Sequence, residues 1–297
     1  MAFILNLENP FQSLEPEAER LFARETEYMA APGFFQTGNS NLRRAAQRAM
    51  RRLSETPGFV HDPLVPFLAL NYYDRSISRE RIPGGWFFGL FVISCTVLAW
   101  KMRANGFSVA QLLGARPIRV GGVNMEVELG HVERMEFQIL SVLNWETRSI
   151  TPVCFTDFFM SLIGINDLQE RQAFKERVFK NQILYMHRDI RFTQFRPSII
   201  AIVGIIAESE EDRLADFWDP VLGSEFVVLD EMENCLNLLD MIRAEEIAGE
   251  AVVPQINEPP VVPQVHVVPP VPQDIEVPQV PPIERPPPSP PTPQNQE

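Results

Sequence analysis

An uncharged run of 17 residues, Gly84 to Trp100, constrains the fold more than any other part of the chain, and Arg81 and Lys101 bracket it closely. A membrane-crossing helix needs about 20 predominantly apolar residues. The run is short for that, and it predicts a helix apolar on all sides, buried inside a large bundle. Other helices must then pack around it, which makes an all-α chain the expected class and a membrane partner an unexpected one.

The 297 residues, 45% of them hydrophobic, suffice for one large or two ordinary domains. Of the 27 prolines, 16 lie from Val252 onward. That shift places a domain boundary near Gly249. Beyond it "VVPQ", "VPPVPQ" and "RPPPSPPTP" lack backbone donors and favour polyproline II, so a disordered, extended tail is expected over 250–297. The amino terminus has no basic segment followed by a small-residue cleavage site, so secretion is not expected.

A formal charge of −13 argues against a nucleic-acid partner, because phosphate-backbone binding rests on clustered cations. Arg43, Arg44, Arg48, Arg51 and Arg52 do cluster, but helical spacing is read as spreading them around a solvated helix with structural arginines. A nucleic-acid contact or nuclear-import patch is the alternative. Cys95, Cys154 and Cys235 sit singly among apolar residues and read as buried reduced thiols of a cytosolic or nuclear protein. His61, His131, His187 and His266 are equally scattered, so neither a metal nor a cofactor is expected.

Periodicity predicts helices over 15–29, 41–53 and 63–78, then the buried helix, then a short turn of helix capped by Ser108, with Gln111 reaching back and Gly114 as its stop. A helix over 126–143 turns Val132, Met135, Phe137, Ile139, Leu140 and Leu143 to one apolar face. Thr151 with Pro152 starts a second half, with helices over 153–163, 167–187, 197–209 and 224–246. In the third of these, Ile and Val are poor helix formers, and a strand competes locally.

Several landmarks in series resemble the cyclins. "FLALNYYDRSIS" leads into "WFFGLFVISCTVLAWKM", followed by "VERMEFQILSVLNWETRSITPVCFTDFFM", where cyclins carry an Arg-Met-Glu helix, a Leu-x-Trp exit and a Thr-Pro start to a second box. Upstream, "LFARETEYMAAPGFFQ" is similar to the helix and linker preceding the box in plant D-type cyclins. The string Leu-x-Cys-x-Glu, by which most D-type cyclins bind retinoblastoma-type proteins, does not occur. That points to the sixth plant D-type class, and binding to such a protein is not expected through this motif.

The resemblance implies two tandem cyclin-like five-helix domains: an N-terminal helix and linker over 1–40, a first cyclin box over 41–149, a second cyclin fold over 150–249, and the tail. It implies kinase-binding roles for Lys101 and Glu136, whose opposite charges suit charge-assisted bonds to a partner's backbone, and for Leu140 and Trp145 beside them. Both charged side chains are expected at the surface. It further implies a buried structural pair between Arg43, or Arg44 one register along, and Asp74. Two departures stand out. Arg103 and Ala104 occupy places where cyclins commonly carry acidic side chains, and Ala45, Ala46 and Ala49 stand where a docking groove for Arg-x-Leu peptides is usual.

Catalytic residues are not expected, since no nucleotide-binding loop, nucleophile elbow or paired-His motif is present. The implied function is that of a regulatory subunit that binds and activates a cyclin-dependent kinase in G1/S control, resident in the nucleus and cytoplasm. A non-activating adaptor recruiting partners through its Pro-rich tail is the alternative. A DNA-binding tandem cyclin fold is a third reading, which the acidic charge opposes. Ser289-Pro290 and Thr292-Pro293 are candidate phospho-acceptors for a proline-directed kinase.

Overall fold

The computed structural model describes residues 16–80, 84–104, 106–115, 117–165, 167–209, 218, 221, 223–224 and 226–250. The tail, Ser289 and Thr292 lie outside them. Helix α1 (Pro16–Arg24) continues as a 3-10 turn, Glu25–Tyr28. Then come α2 (Ser40–Ser54), α3 (Leu64–Ile77), α4 (Trp86–Arg103), α5 (Val109–Ala115) and α6 (Leu129–Val142).

Every residue of α4 from Phe88 to Trp100 is buried, because α2, α3 and α6 pack around it. The uncharged run therefore forms the axis of the first core. A two-stranded hairpin, β1 (Ile118–Val120) and β2 (Val123–Met125), also packs on it. The expected helix over 126–143 begins three residues later than the periodicity suggested, behind this hairpin. Gly121 and Gly122, with φ of 58° and 88°, supply the two left-handed positions of its turn. Gly89 of α4 admits the hairpin: a Cβ there would lie 2.4 Å from Met125 Sδ.

The second core surrounds α10 (Pro197–Glu208), which packs against α7 (Val153–Leu162), against a π turn and against α11 (Leu229–Glu250). The helix expected over 167–187 is α8 (Leu168–Arg177), the π turn Val178–Ile183 and α9 (Leu184–Arg188) in succession. Asp167 caps it by accepting from the Glu170 amide at 2.9 Å. Gly204 of α10 faces this turn, where an added Cβ would meet Val178 and Gln182 at 3.4 Å. Tertiary burial overrides the strand preference of the Ile-rich segment: Ile199, Ile202, Ile205 and Ile206 all lie in the core. Among the described residues this half holds α7 to α11. Helix α11 runs to Glu250, past the boundary expected near Gly249.

Three local expectations change. The Thr151 hydroxyl sits 3.8 Å from Cys154 Sγ instead of capping an amide, because Pro152 itself takes the cap position of α7, which begins at Val153 as expected. Ser108 accepts from the Gln111 amide at 3.3 Å, but the Gln111 side chain lies beside Gly58. Ala46 and Ala49 are core residues rather than groove lining, because the α2 face that bears them turns toward α3 and α4.

The N-terminal segment belongs to the second core, where Leu21 and Tyr28 are buried. Phe22 stacks on Phe226 at 4.4 Å between ring centroids. The buried Glu25 carboxylate accepts from Ser198 N and Ser198 Oγ, each at 2.8 Å, so it covers free donors at the start of α10. Burial pushes its pKa up against those bonds.

Candidate functional site

Lys101 leaves the last turn of α4, where a cation complements the helix dipole. Its Nζ donates to Glu136 Oε2 at 2.8 Å. The two side chains differ sharply in exposure, 45% for Lys101 and 7% for Glu136. The expectation that both lie at the surface is therefore corrected for Glu136. Helix α6 packs along α4, and the turn that buries Val132, Met135 and Ile139 carries Glu136 inward with them. Glu136 Oε1 is buried without a hydrogen-bond partner. Desolvation raises the pKa of this carboxyl more than the Lys101 bond and charge lower it. The site thus holds a buried acceptor without a partner and an exposed ammonium with spare donors.

Leu140 lies one turn beyond Glu136 on α6, half-buried against the first core. Trp145 follows the helix end and is 61% exposed. Asn144 and Trp145 both take left-handed backbone, with φ of 52° and 62°. Trp145 N donates to Leu140 O at 2.8 Å and Asn144 N to Ser141 O at 3.1 Å, a Schellman closure of α6. Left-handed backbone at a tryptophan costs about 1–2 kcal/mol. The strain turns the indole outward, where it meets Phe137 edge-on at 5.8 Å.

Phe137 is the residue the sequence reading misplaced. Expected on the apolar face, it is 45% exposed and completes a surface aromatic pair with Trp145. Its spacing was a usable signal, because at about 100° per residue Phe137 falls well away from the stripe of Val132, Met135 and Ile139.

Two more charges complete the surroundings. Arg103 Nε donates to Asp62 Oδ2 at 2.8 Å, an intramolecular partner the sequence reading did not identify. Ala104 packs partly buried against the first core. Elsewhere, Arg43 and not Arg44 reaches Asp74, with Nε to Oδ1 at 2.9 Å and Nη2 to Oδ2 at 2.8 Å. Arg44 is exposed and bonds Asn41. Cys95, Cys154 and Cys235 are buried, and burial raises each thiol pKa. Among the described residues no group of three His, Cys, Asp or Glu side chains is arranged to hold a metal ion.

Over 225 residues the chain is 31% identical to the putative cyclin-D6-1 of Arabidopsis thaliana, covering 72% of each protein. It is 30% identical over 241 residues to cyclin-D6-1 of Oryza sativa subsp. japonica, covering 77% of this chain and 72% of that one. The chain belongs to the plant D-type cyclins. This cyclin is also 28% identical over 196 residues to cyclin-D2-1 of Oryza sativa subsp. japonica, covering 64% of this chain and 57% of that one. Its fold matches the X-ray structure of a viral cyclin from herpesvirus saimiri with a TM-score of 0.56 at 16% identity, over 74% of this chain and 93% of that one. No family model matches the sequence. The all-α class and the two-part cyclin architecture thus stand on the helices and on this structural match.

Proposed function

We propose that this cyclin is the regulatory subunit of a cyclin-dependent Ser/Thr kinase and activates it in G1/S control, with Lys101, Glu136, Leu140 and Trp145 on the kinase-contacting surface. The observation that carries the reading is the Glu136 carboxylate, with one oxygen bonded to Lys101 and the other buried and unpartnered. A buried acceptor without a partner costs about 1–3 kcal/mol, and a kinase donor relieves that cost once docking turns the carboxylate toward it. The exposed Phe137 and Trp145 rings supply an aromatic anchor beside it, the composition of an interface hot spot. Docked there, the chain holds the kinase's glutamate-bearing helix inward and so completes the ion pair that positions ATP. Its contribution is binding energy, and the chemistry is the kinase's.

Domain limits at 41–149 and 150–249, and residence in the nucleus and cytoplasm, belong to the same proposal. Direct contact with nucleic acid, membrane or a retinoblastoma-type pocket is not part of it. The test is co-purification of the full chain with kinase from dividing plant cells, followed by a histone phosphorylation assay. Lys101→Ala and Trp145→Ala are the comparisons. Parent and variants that retain equal kinase would refute the surface.

A second reading, a non-activating adaptor, draws on Arg103. Its guanidinium is bonded to Asp62 and Ala104 is packed on the core, so these two positions offer no anion to a partner. Kinase recovered without activity above that of the free kinase would favour the adaptor.

A further inference from the structure

Arg75, one residue after Asp74 on α3, is 2% exposed, and among the described residues no carboxylate pairs with it. Its Nη1 donates to Glu146 O and to Ser149 Oγ, each at 3.0 Å, and its Nε is buried without a partner. The Tyr28 ring covers the guanidinium at 4.9 Å. Burial, and after it the Arg79 charge, pull its pKa down to about 10, so it is a cation at neutral pH. A buried charge without an opposite charge is costly, and an apolar side chain of similar volume is often neutral or better for a fold. What the guanidinium gains here is a grip on backbone.

The backbone it grips is the segment that follows Trp145. Glu146 is held at both ends, its carbonyl by Arg75 and its carboxylate by Arg24 Nη2 at 2.8 Å. The Tyr72 hydroxyl, one turn before Arg75 on α3, donates to Thr147 O at 2.5 Å. The Thr147 hydroxyl donates in turn to Met102 Sδ at 3.3 Å, beside Lys101 in the chain. The Schellman closure of α6 needs one left-handed residue, which Asn144 supplies. Trp145 takes a second left-handed position at φ 62°, and a bulky residue persists there only where its surroundings over-determine it. The bonds at Glu146, Thr147 and Ser149 are those surroundings.

We propose that Arg75 is a positioning residue for the kinase-contacting surface: it fixes the backbone after Trp145 so that the indole stands outward beside Phe137. The role rests on the kinase-binding reading of that surface. Closed to solvent, Arg75 touches no partner itself and acts through Trp145. Arg24 is a weaker second tether, because both side chains of its bond to Glu146 are exposed. An arginine kept only to join α3 to residues 146–149 would serve the fold whatever the orientation of the indole. The two roles therefore part on what happens to the ring.

The experiment is fluorine NMR on the full chain labelled with 5-fluorotryptophan, the Trp145 signal being assigned by its loss in Trp145→Phe. Arg75→Met removes the donors and the charge while keeping a long side chain. Without kinase, it is expected to shift and broaden the Trp145 signal and to leave that of the buried Trp100 in place. Against kinase co-purified from dividing plant cells, affinity is expected to fall about tenfold, and the fall is expected to disappear when Trp145→Ala is already present. Arg75→Lys keeps the charge without the fork and is expected to lie between the parent and Arg75→Met in both readouts. It carries the comparison with the parent if the methionine variant misfolds. A Trp145 signal unmoved in a folded Arg75 variant, or an affinity loss undiminished by Trp145→Ala, overturns the proposal. A parent that binds no kinase overturns the surface on which the role rests, and the fluorine signal tells that failure from a failure of Arg75.

Discussion

Arg43 and Asp74 meet through two parallel hydrogen bonds in a site closed to solvent, and the same guanidinium donates to the carbonyls of His187 and Arg188 at 3.0 and 3.1 Å. One side chain therefore joins α2 and α3 of the first fold to the end of α9 in the second. The His187 ring, against Phe67 at 4.0 Å, is driven well below its usual pKa by burial and by the Arg43 charge. It is neutral beside the pair.

Asp74→Ala is expected to destabilise the whole folded unit by about 3–5 kcal/mol, because it strands a buried guanidinium. Thermal unfolding checks this. Both cyclin folds are expected to lose stability together, since Arg43 touches both. A variant that melts with the parent would mean that water already reaches Arg43.

Glu136 gives a prediction in pH. Its folded pKa is raised, with desolvation as the largest cause, so its favourable contribution is complete below the unfolded value and lost as pH rises through the folded one. At neutral pH the ionised carboxylate is a cost to the free chain. Glu136→Gln is therefore expected to leave the melting temperature at pH 7 equal to the parent's or higher, with any gain vanishing near pH 4. Kinase affinity is expected to fall in the same variant. A clear loss of stability at pH 7 would mean that the Lys101 bond outweighs the burial.

How much of this was legible in the sequence depended on the range of the cause. The axis α4 announced itself because uncharged residues at every position leave no face for water. Most other helix limits came within one or two residues, because turn glycines, prolines and capping residues act locally; the exceptions are the first helix, which turns 3-10 after Arg24, the start of α6, and both ends of α11, which was expected over 224–246. The hairpin carried its signal too, Ile118 to Val120 and Val123 to Met125 around Gly121-Gly122, but two strands of three residues are too short for periodicity to weigh. Nothing local reports that Glu136 is buried, that Asp62 takes Arg103, or that Glu25 covers the start of α10. Each joins residues far apart in the chain and exists only once the helices pack.

Gly89 tests that packing. Gly89→Ala places a methyl within 2.4 Å of Met125 Sδ, so the hairpin or the Met125 side chain must shift. A loss of about 1–3 kcal/mol is expected. Shortening the obstacle with Met125→Ala in the same chain is expected to recover part of it, giving a coupling visible in a double-mutant cycle. Simple additivity of the two changes would mean that the alanine methyl is accommodated without touching Met125.

Trp145 separates binding from folding more cleanly than any other residue at the site. It is 61% exposed and held in left-handed backbone, so its ring contributes little to the core while its conformation costs about 1–2 kcal/mol. Trp145→Ala removes the aromatic partner of Phe137 but keeps the strained backbone, and it is expected to leave the melting temperature almost unchanged. Kinase affinity is expected to drop by about 2 kcal/mol or more if the indole is a hot spot. Asn144→Gly provides the internal control. It relieves the neighbouring left-handed position at φ 52° without touching the ring, so it is expected to raise stability by about 0.5–1 kcal/mol with affinity unchanged. Equal kinase binding by the Trp145→Ala variant and the parent, measured by titration calorimetry, would remove Trp145 from the interface and leave its strain without a functional account.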